Sequence, residues 1–177
     1  MKRILGIFLL SILFVQCGQD SDLLIAKNQL GKIEKNTTID QLDKIFKKDS
    51  IEKFPLESEI IREYRVFDLE GKPSLVFFPL IENDSVKGLE LVKIYSDDYI
   101  TEKGISTSSS FGDVAENYSI DKIEPSFSSA ILFINEINAT ISLNKEDLNL
   151  EEFDMSEIRQ DQIPDEANIK FISLWFE

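Results

Sequence analysis

Carboxylates are the main side chains in this sequence that could do chemistry. The 177 residues include 33 Asp and Glu, one cysteine and no histidine. The absence of histidine excludes Ser-His-Asp and Cys-His mechanisms and every histidine-based zinc site. The sequence also lacks G-x-S-x-G, Walker and G-x-G-x-x-G patterns, so these catalytic and phosphate-binding loops are not indicated.

Two groups of carboxylates could bind Ca²⁺ or form the acid pair of a glycosidase. The larger group lacks the alternating ligand spacing and the central glycine of an EF-hand loop. Because acidic residues are common throughout the chain, a solvated acidic loop is the simpler interpretation, and we predict no metal, no cofactor and no catalytic residue. The groups are Asp97-Asp98 and Glu146, Asp147, Glu151, Glu152, Asp154.

Aromatic side chains are the second kind of candidate, because they could bind a sugar or a peptide. Successive residues of a strand point to opposite faces of a sheet, so about half of each aromatic run should be core. The candidates are Phe77, Phe78, Tyr95, Tyr99, Trp175 and Phe176.

The single cysteine, Cys17, lies where an apolar run ends and a polar acidic segment begins. A basic start followed by a short apolar stretch indicates a secretory signal peptide, here residues 1–16. The run is too short for a membrane-spanning helix, which needs roughly 20 apolar residues. A cysteine at this place resembles a lipobox, although Phe14, Val15 and Gln16 depart from its usual residues. The resemblance implies a diacylglycerol on Cys17, with fatty acyl chains such as palmitate, followed by a tether up to residue 24.

The segment after Cys17 predicts the compartment. Gly18 follows the cysteine, in place of the Asp that retains many lipoproteins in the inner membrane, so we expect an outer-membrane location. The acidic stretch "CGQDSD" resembles a surface-export signal, and an ordinary polar linker is the alternative. The domain therefore faces either the periplasm or the cell surface.

Net charge limits the partners of the chain. The formal charge is −14, and removal of residues 1–16 would make it two units more negative because Lys2 and Arg3 are lost. Such a surface repels phosphate backbones, so nucleic-acid binding is not expected. We expect a membrane attachment through lipid and a protein or glycan partner in the envelope.

Two short motifs resemble acceptors for O-glycosylation in some Gram-negative groups. The motif is Asp, then Ser or Thr, then a small or apolar residue, and it predicts modification at Ser50 and Ser85. Both serines fall in predicted turns, where an acceptor side chain must be accessible.

A sequence pattern occurs twice and predicts two short helices. In each copy a Ser/Thr pair, Thr37-Thr38 or Ser109-Ser110, directly precedes apolar residues that are spaced by three and four. This spacing is the signal of a capped amphipathic helix. The predicted helices span residues 38–48 and 110–118.

Runs rich in β-branched and aromatic residues follow each predicted helix and are separated by turn residues, which is typical of antiparallel meanders. We therefore predict an α+β domain at residues 25–177, made of two helix-plus-meander units at about 30–100 and 101–177, with short helices packed on one face of the sheet. Residues 146–167 are predicted to form an acidic loop. The predicted strands are residues 60–69, 74–81, 89–96, 129–135, 139–144 and 168–177.

This helix-plus-meander unit resembles two families, the tandem-repeat β-lactamase-inhibitor proteins and the small outer-membrane-assembly lipoproteins. Gly31-Lys32-Ile33 and Gly104-Ile105 carry part of their shared motif. The resemblance implies a fold and no site residues. The resulting prediction is an outer-membrane-anchored lipoprotein with a non-enzymatic binding or envelope role, and the alternative is a carboxylate-dependent hydrolase acting on envelope or extracellular glycan.

Overall fold

The computed structural model describes residues 21–47, 49–55, 61–151 and 153–177. The predicted signal peptide, Cys17 and the first residues of the tether lie outside the described residues. In chain order the elements are β1 (Leu24–Ala26), β2 (Gln29–Leu30), α1 (Ile39–Ile45), β3 (Ser50–Pro55), β4 (Ile61–Phe67), β5 (Pro73–Glu82), β6 (Ser85–Ile94), β7 (Ile100–Thr101), α2 (Phe111–Asn117), β8 (Lys122–Pro125), β9 (Ser129–Ile134), β10 (Ala139–Asn144) and β11 (Ile169–Trp175).

One eight-stranded antiparallel sheet organises the molecule, with strand order β3-β4-β5-β6-β11-β10-β9-β8. Each helix is followed by four consecutive strands, and the last strands of the two sets, β6 and β11, pair with each other. The C-terminal strand therefore lies in the middle of the sheet. A small second sheet, β2-β1-β7, joins the segments that precede the two helices.

The hydrophobic core lies on one face of the large sheet, because apolar residues alternate along each strand with residues of the other face. Cross-strand neighbours form two continuous rows of buried side chains. Full burial of each large side chain contributes roughly 1.5–3 kcal/mol. The rows are Val66, Leu75, Ile94, Ile172, Ile141, Leu132 and Tyr64, Phe77, Val92, Leu174, Ala139, Ile134.

The two predicted helices are confirmed, and their N-caps are the second residues of the two Ser/Thr pairs. The Thr38 N–H donates to Gln41 Oε1 at 2.7 Å. The Ser110 N–H donates to Asp113 Oδ2 at 2.8 Å, and the Asp113 N–H returns a bond to Ser110 Oγ. These hydrogen bonds satisfy N–H groups that have no partner inside the first turn.

The predicted α+β class, with short helices packed on one face of the sheet, is wrong. In the part of the chain that the structure describes, two helices of seven residues each accompany eleven strands in sheets of three and eight strands, so the fold is mostly β. The predicted strands are present, but the two edge strands β3 and β8 were not predicted. Edge strands such as "SIEKFP" and "KIEP" mix charged and apolar residues and so lack a clear alternation. The unit boundary near residue 100 stays a prediction.

The acidic segment at residues 146–167 is largely irregular, with two short 3₁₀ turns, as expected. Its first residues adjoin Lys145, whose side chain is 1% exposed. The Lys145 ammonium donates to the carbonyl oxygens of Phe127 and Asp154. A buried cation is tolerated only with such acceptors, and it holds this loop against the β8–β9 turn.

Gly88 of β6 allows a close backbone approach that the fold needs, which gives a first prediction. A Cβ at this position would lie 2.2 Å from the Lys35 carbonyl oxygen, which accepts a 2.7 Å hydrogen bond from the Leu89 N–H. We expect Gly88→Ala to lower the free energy of unfolding by about 1–3 kcal/mol, because backbone must shift to relieve the overlap.

Urea unfolding followed by circular dichroism measures this change. Gly71→Ala is the control, because its Cβ would meet no atom within 4 Å and only the positive φ adds strain. An unchanged free energy of unfolding in Gly88→Ala would show that the close approach of Lys35 to β6 does not matter for stability.

Candidate functional site

The face of the large sheet opposite the core is the candidate site, and we call it the open face. It includes one cross-strand row that carries three cations in a chain with a large excess of acid. Val76, Ser173 and Thr140 of this row are buried, whereas Lys93 and Phe133 are partly exposed. In sheet order the row is Glu52, Arg65, Val76, Lys93, Ser173, Thr140, Phe133, Lys122.

Lys93 lies at the centre of this face, between two aromatic rings. Its Nζ is 5.4 Å from the ring centroid of Phe78 and 5.0 Å from that of Phe171. The Phe171 ring in turn packs against Tyr95 at 5.4 Å. Among the residues that the structure describes, no carboxylate lies within ion-pair distance of Lys93. The rings hold the cation by its attraction to their negative faces and leave its N–H groups without a carboxylate acceptor.

A concavity of about 460 Å³ lies beside Lys93. Arg65 borders it, with its guanidinium carbon 4.2 Å from the ring centroid of Phe54 and its Nε donating to Glu63 Oε1 at 2.7 Å. Burial raises the pKa of Tyr95, and the nearby Arg65 lowers it by a smaller amount. The lining is Glu63, Arg65, Pro73, Val76, Phe78, Lys93 and Tyr95.

A second concavity, of about 470 Å³, includes other residues of the open face. Trp175, the only tryptophan, lines it together with Phe133 and Thr140. The Asn138 side chain donates to the Trp175 carbonyl oxygen at 3.3 Å and to Asn28 Oδ1 at 2.9 Å. The open face thus contributes to two recesses, one beside Lys93 and one beside Trp175, and the buried Ala139 and Phe176 also line the second.

The aromatic candidates divide between the core and the open face, as the alternation along strands predicted. Phe77, Tyr99 and Phe176 are buried, whereas Phe78, Tyr95 and Trp175 stay partly exposed. The prediction from sequence did not include Lys93 and Phe171. The alternation in "LVKIYS" places Lys93 on the face of Tyr95, but the contact with Phe171 depends on pairing between strands that are distant in the chain.

The larger group of carboxylates mainly fixes loop structure. Asp147 Oδ2 accepts hydrogen bonds from the N–H of Asn168 at 2.8 Å and from its side-chain amide at 3.0 Å. Asp154 accepts from the Ser156 N–H, and hydrogen bonding to Ser156 lowers the pKa of this carboxyl. Glu152 lies outside the described residues. The described part of the chain contains no group of three or more Asp, Glu or Cys placed to hold a metal ion.

Asp97 and Asp98 line a neighbouring cavity, of about 380 Å³, together with Asp49 and Asp68, and this cavity shares Tyr95 and Pro73 with the recess beside Lys93. Both residues of the predicted pair are exposed to solvent, and Asp98 Oδ2 accepts from Ser96 Oγ at 3.0 Å. The buried phenol of Tyr99 lies at the edge of this cavity.

The two predicted acceptor serines are exposed at the first positions of their strands. Ser50 begins β3, and Ser85 begins β6 directly after a turn in which Asn83 and Asp84 both have positive φ. Asn and Asp tolerate this conformation better than most residues. Modification at Ser50 and Ser85 stays a prediction.

Tyr99 gives a prediction about pH dependence. Burial, with smaller contributions from Asp49 and Asp98, raises its pKa from 10.0 to about 12. The folded state therefore binds the phenol proton more tightly than the unfolded state. This contribution to stability is complete below pH 10 and is lost as the pH rises from 10 to 12, with an upper limit of about 2.7 kcal/mol.

We expect the wild type to lose more stability than Tyr99→Phe between pH 9 and pH 12, as measured by urea unfolding at each pH. The comparison cancels the titration of the lysines, which is common to both proteins. Parallel stability curves for the two proteins would contradict the raised pKa of Tyr99.

Comparison with known proteins adds no functional information. No helix in the described residues is long and apolar enough to cross a membrane. No family model matches the chain, and no curated protein matches it. One solved structure with a related arrangement is the crystal structure of the uncharacterized protein yfeY from Escherichia coli, with 8% sequence identity, 88% of this chain and 99% of that chain covered, and a TM-score of 0.48. A likeness of this size carries no argument about activity, so the function must be inferred from the open face itself.

Proposed function

We propose that this protein is a lipid-anchored lipoprotein of the outer membrane that binds an envelope molecule on its open face without transforming it. The observation that best supports this proposal is the position of Lys93, a cation that two aromatic rings hold in the middle of an exposed sheet face. A solvated face of an antiparallel sheet normally carries scattered polar residues. Here the face concentrates aromatic side chains around cations and contains two recesses, which is the composition of a binding surface.

The lipid anchor is supported by the position of Cys17, at the boundary between the apolar run and the polar acidic segment. The first strand, β1, begins at Leu24, seven residues after Cys17. Seven residues span at most about 25 Å, so an acylated Cys17 would keep the folded domain close to the membrane surface. Two or three acyl chains make such attachment stable, whereas a single chain holds only marginally.

A non-enzymatic role is supported by the chemistry available on the open face. Glu63 is the carboxylate that lines the recess beside Lys93, and it forms an ion pair with Arg65. A glycosidase needs two carboxyl groups that face each other across the substrate at roughly 5–9.5 Å. A single ion-paired carboxylate does not provide this arrangement.

A glycan hydrolase is the second candidate function, and the cavity lined by Asp49, Asp68, Asp97 and Asp98 is the observation that favours it. Asp97 and Asp98 both lie exposed to water, whereas catalytic acids usually work in water-excluded surroundings. Binding on the open face is therefore the better-supported function. Release of soluble fragments from purified envelope glycan by the wild type, and loss of that release in Asp98→Asn, would favour the hydrolase.

The anchor is tested by Cys17→Ser. We expect the wild type to sediment with outer membranes and the variant to leave the membrane fraction, because the thiol that accepts the lipid is gone. The measurement is immunoblotting of separated inner-membrane, outer-membrane and soluble fractions. A variant that still sediments with membranes at the mature size would exclude lipidation at Cys17.

Orientation follows from proteinase treatment of the same cells. Digestion of the wild type in intact cells places the domain on the cell surface, whereas digestion only after lysis places it in the periplasm. If the acidic segment directs export to the surface, replacement of Gln19, Asp20 and Asp22 by Ala protects the domain from digestion in intact cells. Ser21→Ala keeps these three residues and is the control.

The binding role is tested by placing a negative charge on the open face with Tyr95→Glu. We expect this lipidated variant to lose the envelope molecule that copurifies with the wild type, because an acidic side chain would lie within reach of Arg65 and beside the cation-rich recess. Mass spectrometry of the purified complexes measures the loss. Leu69→Glu is the matched control, because Leu69 is 92% exposed in the β4–β5 turn and lines neither recess. Retention of the same molecule by Tyr95→Glu would contradict binding on this face.

A further inference from the structure

We propose that the recess between Arg65 and Lys93 is a site for an organic acid, namely a carboxylate carried on a six-membered ring. This inference rests on the proposed function, since it assigns ligand chemistry to the open face. The recess recognises two features of the ligand, the acidic group and the ring that carries it. The ring has two sources, an aromatic acid or an acidic sugar, and the test separates them.

The strand register places the two cations on either side of one small residue. Arg65 is paired with Val76, and Val76 is paired with Lys93. The two cationic residues are therefore two strand spacings apart, or about 10 Å at their Cα atoms. Both side chains line the same recess, although the Arg65 guanidinium lies against Phe54 on β3. An anionic group that binds Lys93 in this recess is met by Arg65 once the guanidinium turns from Phe54 toward Val76.

The partners of the two cations differ, and this difference assigns their roles. Lys93 lies against the rings of Phe78 and Phe171, and its ammonium has no carboxylate at ion-pair distance among the described residues. Arg65 uses Nε and one terminal nitrogen on Glu63. A guanidinium has five N–H donors, so it can bind a second oxyanion while it keeps Glu63. Lys93 is the principal anion contact, and Arg65 is the secondary one.

Charge balance across the chain makes Lys93 stand out. The sequence has 33 acidic residues against 19 Lys and Arg, so a cation with no carboxylate at ion-pair distance is unexpected. Lys122, on the same face, lies 5.9 Å from the Phe133 centroid and also forms an ion pair with Glu124. Lys93 and Lys122 therefore share the same face and the same type of ring contact, and they differ in whether a carboxylate of the protein is already bound.

The walls of the recess fit a ring attached to the acid. Val76, Phe78 and Pro73 supply apolar surface beside the two cations. The volume of about 460 Å³ lies within the usual range of roughly 300–1,000 Å³ for small-molecule sites, and a bare inorganic anion would leave most of it unfilled. Tyr95 lies next to Phe171 with a partly exposed ring, which offers a surface on which a flat ligand can stack.

The hydroxyl of Tyr95 adds a neutral donor to the recess. A phenol at its ordinary pKa is protonated at neutral pH, and burial raises the pKa of Tyr95 further, so its hydroxyl can donate a hydrogen bond to a ligand oxygen. The two cations therefore recognise the acid, and Tyr95 recognises the ring and its substituents.

The test is isothermal titration of the mature, lipidated chain in detergent at low ionic strength with two acids and two neutral analogues. The probes are benzoate and glucuronate, with benzamide and methyl glucoside as the neutral counterparts. We expect one of the acids to bind and its neutral counterpart to bind at least tenfold more weakly, because the charge-assisted hydrogen bonds to Lys93 are lost. Preference for benzoate identifies an aromatic acid as the ligand class, and preference for glucuronate identifies an acidic sugar.

Lys93→Met tests the role of the ammonium, because methionine keeps an apolar chain between the two rings and removes the charge. We expect at least tenfold weaker binding of the acid in Lys93→Met, less than a twofold change in the matched control Lys122→Met, and recovery to within about threefold in Lys93→Arg. Circular dichroism and unfolding midpoints establish that the variants are folded. Added salt should weaken binding to the wild type and have little effect on Lys93→Met.

Three results would overturn the inference. They are equal binding by Lys93→Met and the wild type, equal binding of a ring acid and its neutral counterpart, and the absence of binding by both acids. If one of these three results occurs while Tyr95→Glu still loses the molecule that copurifies with the wild type, the open face is the binding surface, but for a ligand of other chemistry. Retention of the natural ligand in Tyr95→Glu removes the proposed function as well.

Discussion

The pairing of β6 with β11 is the constraint on which the rest of the structure depends. Ile94 lies opposite Ile172, and Val92 lies opposite Leu174, so the last strand of the chain joins two sets of four strands into one sheet. Without this pairing the two buried rows would be divided, and both β6 and β11 would present unpaired backbone groups. A long-range pairing of this kind costs chain entropy on closure, and the continuous core across eight strands offsets that cost.

The same junction creates the candidate site. Phe78 and Lys93 come from the first set of strands and Phe171 comes from the second, so the pair of rings around the cation exists only when β6 and β11 are paired. Aromatic side chains that remain partly exposed gain less from burial than core residues do. Cation–π attraction contributes about 0.5–1 kcal/mol at exposed sites, which stabilises the arrangement but does not by itself explain why the rings are there. The ligand binding that we propose for the open face would provide that explanation.

Sequence patterns predicted the local structure better than the architecture. The Thr38 and Ser110 caps and the central strands follow from short-range signals, because capping and alternation act within a few residues. The number of strands was underestimated at the edges, where β3 and β8 carry mixed polar and apolar residues, and this led to the wrong fold class. For the site, alternation predicted that about half of the aromatic candidates are core, without assigning which ones. The contact between Lys93 and Phe171 depends on the pairing of β6 with β11, which no local pattern contains.

Photo-crosslinking in living cells tests most directly whether the open face is the surface that binds an envelope molecule. A benzophenone amino acid would replace either Trp175, which is 39% exposed on the open face, or Val86, which is 40% exposed at the β5–β6 hairpin. Binding on the open face predicts one defined adduct from position 175 and none from position 86. Adducts from position 86 alone, or the same adducts from both positions, would contradict it.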